Sequence, residues 1–370
     1  ILDGIVHLNI IKLDPAFLIQ KGLEFVGIEI SHKELESVDY SKDFENATEI
    51  IKILMDEIII NNMGITTLNE LLELEISMED RELLSNENVH AVLDIVSIIV
   101  NLELVSVLFT PAFDQLVKPM LEESLDSTLL AFIDLSEYPA ELLVSDLNSI
   151  IEAIHGLVDL NVVGFAMFEE ELDWTNYESI SNLVETIFAL NYLDVKLDDI
   201  LEYVNSAELL PYDISSIKAE NLDLASDGKL IGQAIDTLIE TLILTGKVEL
   251  NTMSDIEALG SLDVLTLVEK EVLLGVLDAV QNIVETSLVR AITTYVVEHA
   301  DEIVPSEFLF LFDTGITGAQ LHEDICSIIT IAREVVESEI YKAVNDENFE
   351  LEGISEHINT ILDKVLHLNI

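Results

Sequence analysis

Two short stretches of this sequence carry residue types that could bind a metal ion. Residues 223–229 resemble the first half of a twelve-residue calcium-binding loop, with carboxylates at Asp223 and Asp227. The third ligand position of such a loop is Ala225, and the twelfth, which should be a bidentate glutamate, is Ala234. A turn that begins a helix is therefore the competing interpretation, and Asp223 and Asp227 are the two candidate metal ligands.

Histidine and cysteine form the second candidate pair. His322 and Cys326 are four residues apart, which places them on one helical face where they could supply two metal ligands. No further histidine or cysteine is near in sequence, so a capping histidine beside a buried thiol is the alternative. His7 and His367 each follow an aspartate by four residues, and this spacing predicts neighbours on a helix face rather than ligands.

A third stretch concerns acid–base chemistry. Asp313-Thr314-Gly315 follows an apolar run and resembles the Asp-Thr-Gly loop of aspartic proteases. That chemistry needs two such loops whose aspartates share a proton, and the sequence has one. A hydrolase using Asp313 would require a second carboxylate beside it, and a plain turn with Gly315 is the alternative. No phosphate loop, Gly-x-Ser-x-Gly or His-Glu-x-x-His motif is present. We interpret Trp174 as a packing residue.

The charge balance restricts the partners. The 370 residues include 16 lysines and arginines against 72 aspartates and glutamates, for a formal net charge of −56. This excludes direct nucleic-acid binding, which needs clustered basic residues, and disfavours an anionic membrane surface. The remaining partners are divalent cations such as calcium, a basic protein, or other copies of the same unit. No stretch is apolar for long enough to predict membrane insertion. The single cysteine excludes an intrachain disulfide.

The chain is internally repetitive. Residues 1–10 and 361–370 are identical at seven of ten positions. Weaker versions of this stretch recur inside the chain at intervals of about 90 residues. The acidic residue of each version is Asp3, Asp94, Glu185, Asp278 or Asp363. The pattern predicts four repeat units, 1–91, 92–183, 184–276 and 277–360, and the start of a fifth at 361–370. Because the sequence begins within this pattern, we expect it to be a window in a longer chain.

Helical periodicity dominates each unit. Apolar residues at helical spacing predict helices at 47–60, 89–102, 147–154, 197–204, 231–244, 290–298 and 324–336. Pro15 suits the first turn of a helix. Capping boxes are predicted at Ser31-Glu34, Thr175-Glu178 and Ser254-Glu257. The connectors 27–30 and 247–250 could pair as short strands. The predicted fold is an all-α tandem array, either an α-solenoid or a string of small helical bundles.

A repeated unit without a repeated catalytic constellation builds length or surface. The sequence therefore predicts a non-enzymatic structural protein without a cofactor other than a divalent cation. We expect a segment of a large acidic extracellular or cell-surface filament, tether or sheath, with cations bridging neighbours. The alternative is a helical-repeat module that binds a basic protein or peptide through its acidic surface. The cytoplasm of a high-salt cell would also explain the charge and is the competing location, but abundant isoleucine and leucine are less typical of that adaptation, so we rank it below an extracellular one.

Overall fold

The protein is all-helical. The computed structural model describes residues 14–67, 70, 85–124, 134–135, 138–163, 171–206, 214–252, 255, 269–305, 309, 312, 315–340 and 354–369. Within these residues every regular element is a helix, which confirms the all-α prediction. Both connectors that could have formed strands, 27–30 and 247–250, are described and form none.

The described α-helices are labelled in chain order. They are α1 (Pro15–Val26), α2 (His32–Leu35), α3 (Tyr40–Lys52), α4 (Asn86–Val100), α5 (Glu103–Ala112), α6 (Lys118–Ser124), α7 (Ala140–Asp159), α8 (Glu178–Phe188), α9 (Asn191–Ser206), α10 (Leu224–Leu238), α11 (Lys270–Val284), α12 (Ser287–Glu298), α13 (Ala300–Ile303), α14 (Gly318–Glu337) and α15 (Ile354–Leu366). Three π-helical segments continue α3, α5 and α10, at Ile53–Asn62, Phe113–Val117 and Ile239–Ile243. Five of the seven predicted helices lie within these elements, whereas the predictions at 89–102 and 231–244 run two residues and one residue past the ends of α4 and of the π segment after α10.

Local signals at helix ends are mostly confirmed. Pro15 is the first residue of α1, and the Asp14 side chain accepts the Phe17 N–H as its cap. Ser31 and Glu34 form the predicted capping box of α2. The box predicted at Thr175-Glu178 is wrong, because the preceding Asp173 accepts the Thr175 N–H and hydroxyl instead. Ser254 lies outside the described residues.

A proline marks one of the π-helical segments. Pro15 and Pro111 each begin a Pro-Ala-Phe sequence. Pro111, however, lies inside α5 and not at the start of a helix. Proline has no N–H to donate to the preceding turn, so the regular ladder is interrupted there. The π segment Phe113–Val117 begins two residues later.

The chain divides into two compact units. The first lies within Ile1–Glu171 and Leu190–Ser206. One apolar cluster there centres on Ala16, Ile30 and Leu35, where α1, α2 and α5 meet. A second cluster centres on Ile53, Ile58 and Ala91, where α4 packs on the π segment after α3. Helix α4 also packs against α7.

The second unit lies within Leu172–Ala189 and Ala207–Ile370. In this unit α10 packs between α8 and α11, and α14 contacts α11, α12 and α15. Glycines permit the closest approaches. A Cβ added to Gly228 would lie 2.5 Å from Phe188 Cβ on α8, and one added to Gly318 would lie 2.3 Å from Thr294 Cα on α12.

None of the described helices alone has the length and low charge of a membrane span. Two pairs of consecutive helices, each bent where its members join, are long and apolar enough for a membrane span when the two members are taken together. These pairs are Asn86–Val100 with Glu103–Glu122 and Lys270–Val284 with Ser287–Glu298.

Candidate functional site

Three aspartates hold the start of a later helix through its backbone, and a fourth, Asp324, makes a similar contact with Asn369, which follows the end of α15. We call each of these contacts an aspartate clasp. Asp43 on α3 accepts the N–H groups of Glu103 and Leu104, at 2.8 and 2.9 Å, where α5 begins. Asp227 on α10 accepts the N–H groups of Ser287 and Leu288, at 2.6 and 3.0 Å, where α12 begins. The Ser287 hydroxyl also donates to Asp227, at 2.7 Å.

The other two clasps use asparagine. Asp146 on α7 accepts the N–H and side-chain amide of Asn191, at 3.0 and 2.7 Å, where α9 begins. It also accepts the Tyr192 N–H at 2.9 Å. Asp324 on α14 accepts the N–H of Asn369 at 2.9 Å and its side-chain amide at 2.9 Å. The four aspartates therefore form one class of contact with two variants.

The physical basis of the clasp is the exposed start of a helix. The first N–H groups of a helix have no intrahelical partner, and they carry a partial positive charge. A carboxylate from a neighbouring helix satisfies two of them at once. Asp146, Asp227 and Asp324 are 5 %, 1 % and 1 % exposed, so these three clasps are shielded from water, whereas Asp43 is only partly buried. A charge this deeply buried is tolerated only when it is fully hydrogen-bonded, as these are.

Hydrogen bonds within the second unit account for both candidate calcium ligands, Asp223 and Asp227. Asp227 is saturated by donors from α12, and Asp223 caps its own helix by accepting the Ser226 N–H at 3.1 Å. The alternative interpretation of this stretch was a helix start, and α10 begins at Leu224. This arrangement favours structural roles for both carboxylates, and calcium binding here stays a prediction without support from the geometry.

His322 and Cys326 lie on one face of α14, as their spacing predicted. His322 Nε2 lies 2.8 Å from the Val284 carbonyl oxygen, and its Nδ1 lies 4.0 Å from Cys326 Sγ. Burial raises the pKa of the Cys326 thiol, and the nearby Glu285 carboxylate adds to this. A neutral thiol is a poor metal ligand. These contacts favour structural roles for both side chains, but His322 is a buried residue within α14 and not a capping histidine, and Cys326 is only partly buried.

The remaining sequence candidates separate into two groups. Asp313, Thr314 and His7 lie outside the described residues. His367 is exposed and lies beside Asp363, with Nδ1 to Oδ1 at 3.4 Å, as expected for neighbours on a helix face. Trp174 donates its ring N–H to the Leu250 carbonyl at 2.5 Å, a structural contact within the second unit.

A histidine pair that sequence reasoning missed joins α4 to α7. The rings of His90 and His155 are within 6° of parallel, and their Nδ1 atoms are 2.6 Å apart. The other nitrogen of each ring faces a carboxylate: His90 Nε2 lies 3.1 Å from Asp159 and His155 Nε2 lies 3.5 Å from Asp94. A gap of 2.6 Å holds one proton, so one ring donates and the other accepts. The only sequence signal was a histidine four residues before an aspartate on each helix.

A second mixed group lies between α14 and α15. Glu334, Glu337 and His357 each direct one ligand atom to a common point, and these atoms lie within 4.8 Å of one another. Among the described residues this is the one group of three or more such side chains that meets the geometry of a metal site.

One carboxylate in the contact of α8 with α10 is poorly satisfied. Asp236 Oδ1 is buried without a hydrogen-bond partner. Burial raises the pKa of Asp236 above its ordinary value, the Glu178 and Glu240 carboxylates raise it further, and the Ser181 hydroxyl opposes them. Because the folded-state pKa exceeds the unfolded value, stability falls as pH rises from about 4 through the folded-state pKa. The free energy of unfolding that is lost in this way is not regained at neutral pH.

We therefore expect Asp236→Asn to stabilise the second unit by about 1 kcal/mol at pH 7, and to have little effect near pH 4. Urea denaturation followed by Trp174 fluorescence measures this, because the only tryptophan lies in that unit. Glu249→Gln is the control, since it removes an equal charge from an exposed site of the same unit. An equal gain in both variants would mean that general charge repulsion, and not burial, is the cause.

Comparison with known proteins identifies no relative: no family model, no curated protein and no solved structure matches this chain. The fold and the clasps therefore define it as an all-helical protein with recurrent inter-helix capping.

Proposed function

We propose that the chain is a non-enzymatic structural protein built as a tandem helical array. This proposal rests on the sequence separation between each clasp aspartate and the residue that it binds, which alternates along the chain. Asp43 and Asp227 each bind a residue 60 positions later, whereas Asp146 and Asp324 each bind one 45 positions later. Along the chain the sequence separations are therefore 60, 45, 60 and 45 residues. Two copies of a repeat that contains one contact of each separation would produce this order.

Other contacts recur with the same shift. Asp94 pairs with His155 in the first unit, and Asp278 pairs with Arg333 in the second. The aspartates are 184 residues apart and their partners 178 apart. Residues 87–105 and 271–289 share nine identical positions. We therefore propose a repeat of about 180 residues made of two unlike halves, in place of four equivalent units of about 90.

The closing helix presents a surface on which such an array could grow. Exposed apolar side chains on α15 are Ile358, Leu362, Val365 and Leu366. Helix α8 lies 178 residues earlier, and its Phe188 packs against Gly228 of α10. Leu366 occupies the corresponding position on α15 and is 79 % exposed. We propose that a helix equivalent to α10, from a neighbouring repeat or a second copy, covers this face.

The charge fits an extended array in water. A net charge of −56 opposes collapse and keeps the aliphatic seams from associating at random. Divalent cations between neighbouring units would relieve the repulsion. An extracellular or cell-surface filament, tether or sheath is the proposed setting, and the cytoplasm of a high-salt cell is the alternative.

Electron microscopy and light scattering of the purified chain, with and without calcium, test the array. We expect concentration-dependent oligomers or rods with a regular axial repeat. Leu366→Asp should abolish them without loss of helix content, since Leu366 is exposed. Phe25→Asp is the control, because Phe25 is exposed on α1, far in sequence from the proposed contact. Monomeric wild-type protein at all concentrations and in both conditions would contradict self-association.

The second candidate is an acidic binding module for a basic protein or peptide. It is favoured by the excess of 72 acidic over 16 basic residues. Titration with a lysine-rich peptide at two salt concentrations distinguishes it, because such binding weakens strongly with salt. A monomeric chain that binds this peptide tightly would make the module the better account.

A further inference from the structure

We propose that Glu334 and Glu337 on α14 and His357 on α15 form a zinc-binding site. This inference does not depend on the proposed array. The three ligand atoms lie within 4.8 Å of one another, and His357 Nδ1 lies 2.6 Å from Glu334 Oε2. In a tetrahedral site, bonds of about 2.0–2.2 Å to one Zn²⁺ place its ligand atoms about 3.4 Å apart. Coordination would therefore require the 2.6 Å pair to separate and the most distant ligand atom to move inward by up to about 1.4 Å, which side-chain rotation can supply.

The spacing on the two helices supports a shared centre. Glu334 and Glu337 are three residues apart on α14, so both carboxylates face the same side of the helix. His357 comes from α15, which packs directly on α14. Two ligands from one helix and a third from its neighbour form a rigid base, and a water molecule would complete a tetrahedral zinc site.

The ligand set favours a transition metal over calcium. An imidazole nitrogen suits zinc, copper, iron or nickel, whereas calcium takes six to eight oxygen ligands. The three residues supply one nitrogen and two carboxylate groups, which is too few oxygens for a calcium site. The proposed ion therefore differs in class from the calcium that the overall charge suggested.

The surroundings leave the two carboxylates available. The nearby guanidinium of Arg333 is paired with Asp278. The Lys270 ammonium donates to the main-chain carbonyl of Glu337 at 2.6 Å. The side chains of Glu334 and His357 are 18 % and 30 % exposed, so the group is sheltered and still reachable from solvent. Without metal, the His357–Glu334 hydrogen bond holds the ligands near each other, and zinc would displace the proton between them.

The experiment is a zinc titration of the metal-stripped chain against a chromophoric chelator. Because an acidic chain with eight histidines also binds cations weakly at many places, the zinc affinities of matched variants are compared with one another. His357→Gln and Glu334→Gln each remove one ligand. Glu356→Gln and His367→Gln remove an exposed carboxylate and an exposed imidazole nearby. Circular dichroism confirms that all four remain folded.

We expect one zinc ion to bind more tightly than the rest. His357→Gln and Glu334→Gln should each weaken this site about tenfold or more, and the two controls should leave it unchanged. Cobalt(II) provides a second readout, because its visible absorption reports a four-coordinate site and should disappear in His357→Gln.

Two results would overturn the proposal. One is an unchanged zinc affinity in His357→Gln. The other is calcium binding as tight as zinc that depends on Glu334 and not on His357, since this would describe a carboxylate site for a hard cation.

Discussion

Asp227→Asn is expected to destabilise the second compact unit by about 3 kcal/mol. Asp227 is 1 % exposed and accepts three hydrogen bonds, from the Ser287 N–H, the Ser287 hydroxyl and the Leu288 N–H. Asparagine would set an NH₂ group against one of these donors. It would also remove the negative charge from the positive end of α12. One of the buried donors on Ser287 or Leu288 would then lack an acceptor, and an unsatisfied buried donor lowers the free energy of unfolding.

Urea denaturation monitored by Trp174 fluorescence measures the change. Asp223→Asn is the matched control, because Asp223 lies four residues earlier and caps the same helix. Asp223 is an exposed helix cap, and asparagine caps a helix as well as aspartate does, so we expect less than about 0.5 kcal/mol there. Equal effects of the two substitutions would show that the clasp does not stabilise the fold.

The same assay separates the clasp from a cation site. If Asp227 bound calcium, calcium would raise the stability of the wild-type protein, and Asp227→Asn would remove this gain. The clasp predicts a loss in Asp227→Asn that is independent of calcium.

Gly318→Ala is expected to cost about 3 kcal/mol, at the upper end of the usual range for overpacking. The new Cβ would lie 2.3 Å from Thr294 Cα and 2.5 Å from Thr294 Oγ1. The hydroxyl can rotate away, but a backbone atom cannot. Helix α14 must therefore separate from α12, and the Thr317 cap at the start of α14 would move with it.

Gly22→Ala is the contrasting variant. Gly22 lies within α1 and has no atom within 4 Å of an added Cβ. Alanine should therefore stabilise the first unit by about 0.5–1 kcal/mol through its better helix propensity. Thermal unfolding followed by circular dichroism measures both variants. A Gly318→Ala protein as stable as wild type would mean that α12 and α14 are not packed as closely as described.

Local structure was predictable from the sequence because its causes lie within one or two turns of helix. Apolar spacing predicted helices at 89–102, 231–244 and 324–336, and α4, α10 with its π segment, and α14 match these predictions to within two residues. Pro15 and the Ser31 capping box were recognised for the same reason. The box at Thr175 failed because Asp173 competes for the same N–H group, and short patterns do not rank such competitors.

Which aspartates form clasps was decided only by the tertiary structure. Asp227 was singled out for a different reason, and Asp43, Asp146 and Asp324 were not singled out at all. Nothing within a few residues distinguishes them among 72 acidic residues, because the backbone groups that they bind lie 45 or 60 residues away. The contacts of His90 with His155 and of Glu334 with His357 also join residues on different helices, so local sequence patterns do not predict them. The sequence by itself determined that the chain is helical and acidic. Packing decided which of its many carboxylates are buried, because burial depends on which helix faces come together.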